Sequence, residues 1–274
     1  MDQLNLVNLA LEECDFVNQP VCVPDNVADL FVFPDIVGQI NRTVFLIFLA
    51  AVVVIALLYF AFRRPSLVPS KFQAAMEGLV GFVRNDIAVG IIGPEGTKYF
   101  PYLLSIFMFI LVGNLFELTP LINFPITSRM AIPGFLALVT WVVFLVVGIA
   151  KQGGKYFGEL LWPPGVPTAL KPLVGIIEFV STIAVRPFSL AVRLFANLVA
   201  GHVMLSLLLV TGWIFVSNLV VNFGEIGVKG FAGIAWFGLG LGIWGFELLV
   251  AILQAYIFTL LSAVYIESSI HPAH

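Results

Sequence analysis

The sequence has very little charge. Asp, Glu, Lys and Arg make up only 11% of its 274 residues, whereas hydrophobic residues make up 60%. Soluble domains carry about 25% charged residues, so this composition excludes an ordinary soluble globular protein. It predicts a polytopic membrane protein.

Several chemical signatures are also missing. The sequence has no glycine-rich nucleotide loop, no cluster of metal ligands and no nucleophile beside a base. We therefore expect no enzymatic activity of its own, no metal, no cofactor and no nucleic-acid partner. The first residues, Met-Asp-Gln-Leu-Asn, lack the basic stretch and apolar core of a cleavable signal peptide. Insertion is therefore expected to depend on the membrane spans themselves.

Basic residues are absent from positions 1–41. Segments without Lys or Arg cross membranes readily, so this stretch is predicted to be an acidic exterior tail. Both cysteines, Cys14 and Cys22, lie in it. An oxidising exterior would allow them to form a disulfide, and two free thiols are the alternative. The acidic residues of the tail are Asp2, Glu12, Glu13, Asp15, Asp25, Asp29 and Asp35.

The remainder, 42–274, is predicted to form a single membrane domain. Basic residues follow its first apolar segment at Arg63 and Arg64, and Lys151, Lys155 and Lys171 lie between the third and the fourth. Because Lys and Arg favour the cytoplasmic side, this pattern predicts an exterior N-terminus and a cytoplasmic C-terminus. The apolar segments long enough to span a bilayer lie at about 44–62, 99–122, 133–150, 172–211 and 231–266.

Residues 70–90 are amphipathic. Apolar residues recur every three or four positions from Phe72 to Ile87, while Lys71 and Arg84 lie on the other side. Ser70 followed by Gln73 resembles a helix-capping box. We predict a helix lying in the inner membrane interface, with a soluble surface helix as the alternative.

The last two apolar segments are too long to stand upright as straight helices. At ~1.5 Å per residue they would extend on the order of 50 to 60 Å, against a hydrocarbon core of about 30 Å. We predict two steeply tilted helices that form a hairpin, the first of them kinked where Pro187 removes a backbone donor. The predicted fold is therefore all-α, with about five membrane helices and one interfacial helix.

Arg193 lies in the middle of the fourth apolar segment. An arginine in a bilayer is costly and cannot lose its charge, because its pKa lies above ~12. Such residues usually mark an ion path. On a helix, the positions that share its face are small or polar, which would let another helix approach closely; they are Ser189, Ala196, Asn197 and Ala200.

More polar residues lie on the same segment and on the last one. His202 lies nine residues after Arg193, ~13 Å along a helix axis. Glu247 and Gln254 keep roughly to one face of the last segment. Antiparallel pairing of the two long helices would bring His202 towards Glu247, and Gln254 towards Arg193.

Three sequence runs resemble subunit a of the F-type ATP synthase, the proton-conducting stator of its membrane sector. They are PYLLSIFMFILVGNLFELTPLI at 101–122, RPFSLAVRLFANLVAGH at 186–202 and FELLVAILQAYIFTLLSAVYI at 246–266. The resemblance covers about 44–268 in order, and the acidic tail is not part of it. By this resemblance Arg193 matches the essential arginine of the family, Gln254 the neighbouring glutamine and Asn197 the asparagine one turn beyond the arginine.

The resemblance also implies two access paths. Glu178 is similar to the acidic residue that lines the inner path, and Asn114 with Glu117 to the polar pair of the outer path. Many bacterial relatives have glutamate after the Ala-Gly pair and histidine on the last helix, whereas this sequence has His202 and Glu247. That exchange keeps one imidazole and one carboxylate across the same gap. Ala196 stands where glycine is common.

The function implied by the resemblance is proton translocation coupled to rotation. A ring of c subunits presents carboxylates in mid-membrane, which must be neutral while they face lipid. Protons enter from outside, travel round the ring and leave inside, and Arg193 separates the two half-channels. The implied partners are the c-ring, b-type peripheral stalk subunits, the remainder of the complex, which carries the ATP chemistry, and membrane lipid. The implied location is a bacterial plasma membrane, with an organellar energy-transducing membrane as the alternative.

Other interpretations stay open at this stage. Glu178 is also compatible with an interfacial residue near a helix end, and Glu117 with one that faces headgroups. His202 and Glu247 are also compatible with a polar pair that only joins two helices. A secondary ion transporter with an Arg/Glu/His relay is the alternative function, but such proteins typically contain inverted repeats, and none is evident. The sequence leaves open the number of c subunits and the choice between proton and sodium.

Overall fold

The computed structural model describes residues 42–64, 68–119, 126, 129–162, 170–221 and 230–271. Every regular element in these ranges is helical. The predicted exterior tail, with Cys14 and Cys22, lies outside them.

Within the described ranges, five helical stretches are long and apolar enough to cross a membrane. The predicted all-α class with five spans is therefore confirmed, and the chain is a multi-pass membrane protein. The spans are α1 (Arg42–Phe62), α3 (Phe100–Leu118), α4 (Ala131–Gln152), α6 (Lys171–Val180) continuing into α7 (Arg186–Val221), and α8 (Gly230–Ile270). Among the described residues, the short helices α2 (Lys71–Phe82) and α5 (Lys155–Leu161) lie between spans, as do a single α-helical turn at Gly90–Ile92 and a 3-10 helix at Pro94–Lys98.

Helix α2 begins at the predicted cap. The Ser70 side chain accepts a hydrogen bond from the Gln73 backbone N–H at 3.2 Å, and the Gln73 amide donates to Glu77 at 2.8 Å. Beyond α2, Val83–Val89 continue as a π-helix. Met76, Val83 and Ile87 are buried against the bundle, so this segment lies along the other helices with its polar side outward.

The fourth span changes its winding just before Pro187. Residues Ser181–Val185 are π-helical, and the Arg186 N–H bonds to the Ser181 carbonyl rather than to that of Thr182. In a π-helix the Thr182 carbonyl would accept a hydrogen bond from the N–H five residues later, but that residue is Pro187, which has no N–H. The Trp141 indole of α4 donates to this carbonyl at 3.3 Å. A neighbouring helix thus satisfies the backbone group that the proline leaves without a donor.

Helices α7 and α8 form the most extensive helix pair among the described residues, as the predicted hairpin requires. Close approaches at glycines fix an antiparallel register. Gly212 lies against Phe237, and Gly240 against Leu209. A side chain at Gly212 would lie 2.6 Å from the Phe237 backbone nitrogen, so the two helices are in backbone contact there.

Replacing Gly212 with alanine should weaken this contact. Because the obstructing atoms are backbone, the helices must move apart, at a cost of roughly 1–3 kcal/mol. Gly238→Ala on α8 is the matched control, since its added methyl group meets nothing within 4 Å. Both changes gain the same helix propensity. Thermal unfolding of the purified complex should show a lower midpoint for Gly212→Ala only; equal midpoints would contradict the close approach.

Helices α3 and α4 pack behind the hairpin. The Tyr102 hydroxyl donates to Thr140 at 2.9 Å, and the Trp244 indole donates to the Leu118 carbonyl at 3.1 Å. Near the end of α4, Lys151 forms a 2.6 Å ion pair with Glu95. The hydrogen bond from Lys151 holds the pKa of the Glu95 carboxyl below its ordinary value. This pair is exposed and contributes little to stability.

Candidate functional site

Helix α7 has one buried face and one uncovered face. Leu190, Leu194 and Leu198 are buried in the bundle. Four of the five residues of the predicted stripe are exposed, and Ser189 is half-buried; the exposed ones are Arg193, Ala196, Asn197 and Ala200. The arginine and its small neighbours therefore lie on the outside of this chain.

The Arg193 side chain has no hydrogen bond or ion pair with any residue that the structure describes. It lies seven residues into α7, and the membrane-spanning stretch continues on both sides of it from Lys171 to Ser217. A guanidinium without a partner at this depth is costly in contact with lipid. Its face therefore requires cover from another polypeptide or from water.

Gln254 of α8 lies level with the arginine segment. Two contacts between α7 and α8 fix the register of the hairpin. Gly201 contacts Glu247, and Arg186 lies over Tyr265. Gln254 lies between these two contacts. Its side chain is buried, with 4% exposed, whereas Arg193 faces outward, and no hydrogen bond joins the two.

Four polar residues meet inside the bundle on one side of Arg193. The exposed fractions of their side chains show that all are buried: Asn114 0%, Glu117 4%, His202 3% and Glu247 8%. We call them the polar cluster. They come from α3, α7 and α8, so three helices bring together residues that are up to 133 positions apart.

The contacts within the polar cluster differ in part from the predicted pairing. His202 Nδ1 lies 3.6 Å from Glu117 Oε1, so the carboxylate facing the imidazole comes from α3. Glu247 lies against Gly201, the residue before His202; a Cβ atom at Gly201 would lie 2.5 Å from the Glu247 carboxyl carbon. The close approach of this carboxylate to α7 depends on the absence of a side chain at Gly201.

Asn114 connects the cluster to α8. Its amide nitrogen donates to the Ala251 carbonyl at 3.3 Å, one turn after Glu247. Its amide oxygen accepts no hydrogen bond from the described residues, nor does Glu117 Oε1. The cluster thus contains buried acceptors close to an imidazole, and neutral imidazole is the side chain best suited to exchange protons near neutral pH.

Glu178 lies on the other side of Arg193. It is half-buried in α6, fifteen residues before the arginine, about 22 Å along a helix at the usual rise. The polar cluster lies on the opposite side, further along α7 from Arg193 and nearer to the start of α8 than Gln254. The predicted outer and inner residues are therefore separated along the fold, with Arg193 between them.

Within the described part of the chain, no three His, Cys, Asp or Glu side chains lie close enough to hold a metal ion.

Sequence reasoning missed two features of this region. It did not single out Gly201, although an Ala-Gly pair beside a buried histidine is a typical signal of close helix approach. It also did not predict a partner for Arg186, whose guanidinium lies over the Tyr265 ring, 5.4 Å from the ring centroid. Only the register of the hairpin reveals this contact.

Comparison with known proteins gives a single family. Residues 44–267 match the family model described as ATP synthase A chain. An ATP synthase subunit a from Frankia alni is 40% identical over 238 residues, 86% of this chain and 79% of that relative. Those from Rhodopseudomonas palustris and Rhodococcus erythropolis are 40% and 39% identical, and the matches cover 82% and 85% of this chain and 86% and 83% of the relatives.

Proposed function

The chain belongs to the ATP synthase A chain family and is thus a non-catalytic membrane subunit of ATP synthase; from this premise we propose that it provides two offset half-channels to the c-ring. Arg193 separates them and couples proton flow to rotation of the ring. The observation that carries this proposal is the uncovered, unpaired arginine on a stripe of small residues.

The ring supplies what the Arg193 face requires. A ring helix with a mid-membrane carboxylate fits against Ala196 and Ala200 because neither side chain obstructs it. When a protonated ring carboxyl arrives, the fixed cation favours the ionised form, so the proton leaves to the inner path. Lysine would serve less well, because it is able to lose its proton in such surroundings and let protons leak through.

The outer half-channel in this proposal is the polar cluster. Protons enter past Asn114, which contributes hydrogen bonds, and pass by way of Glu117, His202 and Glu247 to the ring. The burial of all four side chains, and the 3.6 Å approach of His202 to Glu117, support a relay. Glu247 lies against Gly201, the residue before His202, which supports its place at the end of this relay.

The inner half-channel runs past Glu178. Its half-buried side chain lies fifteen residues before Arg193, on the other side of it from the polar cluster, which supports a guanidinium placed between the two paths. Gln254 and Asn197 act beside the arginine, one on each helix. Each charge that crosses gains about 2.3 kcal/mol per 100 mV of membrane potential.

The proposed setting follows from the same family. The chain lies in a bacterial plasma membrane with its N-terminus outside and its C-terminus in the cytoplasm. Its partners are the c-ring, the b-type peripheral stalk and the remaining subunits, in contact with membrane lipid. The basic residues Arg63, Arg64, Lys151 and Lys155 support this orientation.

Cross-linking tests the proposed ring interface. In a background with Cys14 and Cys22 replaced by serine, cysteines at Ala196 and Ala200 should form disulfides with a cysteine beside the ring carboxylate, because both positions are exposed. Leu198→Cys, on the buried face of the same helix, is the matched control and should not react. Cross-links from position 198, or none from 196 and 200, would place the ring elsewhere.

A further inference from the structure

Arg186 is held by the last helix at a point that the proposed proton path does not use. Its guanidinium carbon lies 5.4 Å from the Tyr265 ring centroid, and Nη1 makes a long hydrogen bond of 3.5 Å to Ser268 Oγ. We call Arg186, Tyr265 and Ser268 the inner clamp. A cation over an aromatic face is attractive, and more so when both are removed from water.

Both partners of Arg186 are themselves fixed. The Tyr265 ring packs edge-on against Phe144 of α4, with the centroids 5.8 Å apart. The Ser268 hydroxyl donates its proton to the Tyr265 carbonyl at 3.0 Å, which leaves its oxygen to accept from Arg186. The inner clamp therefore joins α7 to two other helices through oriented groups.

The inner clamp lies at the start of α7, directly after a change in helix winding. Arg186 is the first residue of α7 and directly follows the π-helical segment Ser181–Val185. In that segment the backbone bonds run to the fifth residue on rather than to the fourth, so the helix is wound wider there than in α6 and α7. After this change of winding, contacts with neighbouring helices help to set the rotation and height of α7, and the inner clamp is the contact made by the first residue of that helix.

Arg193 lies between the inner clamp and the contact of Gly201 with Glu247. It follows Arg186 by seven residues and precedes Gly201 by eight. Two turns of helix separate it from the clamp, so a slip or rotation of α7 at Arg186 moves the arginine by the same amount relative to Gln254. Arginine suits this task because its planar fork binds a hydroxyl and an aromatic face together.

We propose that Arg186 is a positioning residue, which through Tyr265 and Ser268 sets the height and rotation of Arg193 against Gln254 and the ring. This inference rests on the proposed function of Arg193. Loss of the inner clamp leaves the barrier charge in the protein but displaces it, so protons pass without turning the ring. The consequence is uncoupling rather than loss of the complex.

The test measures protons pumped per ATP hydrolysed in vesicles, normalised to the amount of assembled complex. Arg186→Gln and Tyr265→Leu should each lower this ratio by roughly threefold or more, the size expected for residues that couple sites without touching the ligand. Tyr265→Phe should keep the ratio near that of the parent chain, because the aromatic face remains. Arg84→Gln, which removes an exposed cation of the π-helix after α2, is the control for loss of charge.

The outcomes separate the alternatives. A merely structural role for the inner clamp would reduce the amount of complex and leave the ratio unchanged, which overturns the proposal. Equal damage from Tyr265→Phe and Tyr265→Leu also overturns it. If Arg186→Gln does not assemble, the number of protons pumped per ATP is compared in Arg186→Lys and the two tyrosine variants, which then test the proposal. Arg193→Ala is measured alongside. If Arg193→Ala still pumps, the proposed function fails. If Arg193→Ala loses pumping while the inner-clamp variants keep the parent ratio, only the inner-clamp proposal is refuted.

Discussion

Arg193→Ala is expected to abolish ATP-driven proton pumping in membrane vesicles while the complex still assembles. The side chain is exposed and has no partner among the described residues of its own chain, so its removal leaves the packing of α7 intact. The function lost is the barrier between the two proposed half-channels. Quenching of a pH-sensitive dye after addition of ATP measures pumping, and immunoblotting of the purified complex measures assembly.

Two further variants make this result specific. Arg84→Ala, which removes another exposed arginine outside the spans, should pump at the normal rate. Arg193→Lys should retain part of the function, because an ammonium group provides the charge but is able to release its proton. Pumping at the parent rate by Arg193→Ala would contradict the assignment of Arg193.

Glu247→Gln is expected to reduce proton conduction by at least about a hundredfold, the range typical of a lost proton-transfer group. The amide has nearly the same size and keeps the contact with Gly201, so the amount of complex should change little. Passive proton flux driven by a potassium diffusion potential measures conduction. Glu267→Gln, on the same helix but outside the polar cluster, is the matched control.

The alternative for Glu247 is a purely structural polar group. In that case conduction and complex abundance should fall together in Glu247→Gln. Gly201→Ala provides an independent check, because its methyl group displaces the carboxylate without removing it. A relay should be slowed by this displacement even in complexes that assemble normally.

The number and order of the spans could be predicted from the sequence because each span is a long apolar run. A helix must be long enough to cross the hydrocarbon core, and this requirement is a strong constraint. The stripe around Arg193 was predictable for a similar reason. Helical periodicity places Ala196, Asn197 and Ala200 on the face of the arginine whatever lies opposite. Arg193, Ala196, Asn197 and Ala200 are exposed in the structure, and that a ring helix packs against them stays a prediction.

Contacts between helices were harder to predict. Periodicity gave the faces of α7 and α8 but not the position of α3, so the sequence paired His202 with Glu247 and missed its approach to Glu117. The bend was expected at Pro187, where a donor is missing. The structure places the irregular winding at Ser181–Val185. Because the Arg186 N–H bonds to the Ser181 carbonyl, the carbonyl left without a backbone donor is that of Thr182. Such shifts depend on a neighbouring donor, here Trp141, which no local pattern reveals.

The most direct test of the proposed barrier is passive proton flux with the ring held still. A disulfide from Ala200→Cys to the ring locks rotation, and a diffusion potential drives protons across vesicles without ATP. With Arg193 present, locking should stop the flux, because protons cross only by travelling round the ring. With Arg193→Ala, flux should continue through the locked complex. Flux that stops equally in both, or that persists with Arg193 in place, would contradict the barrier.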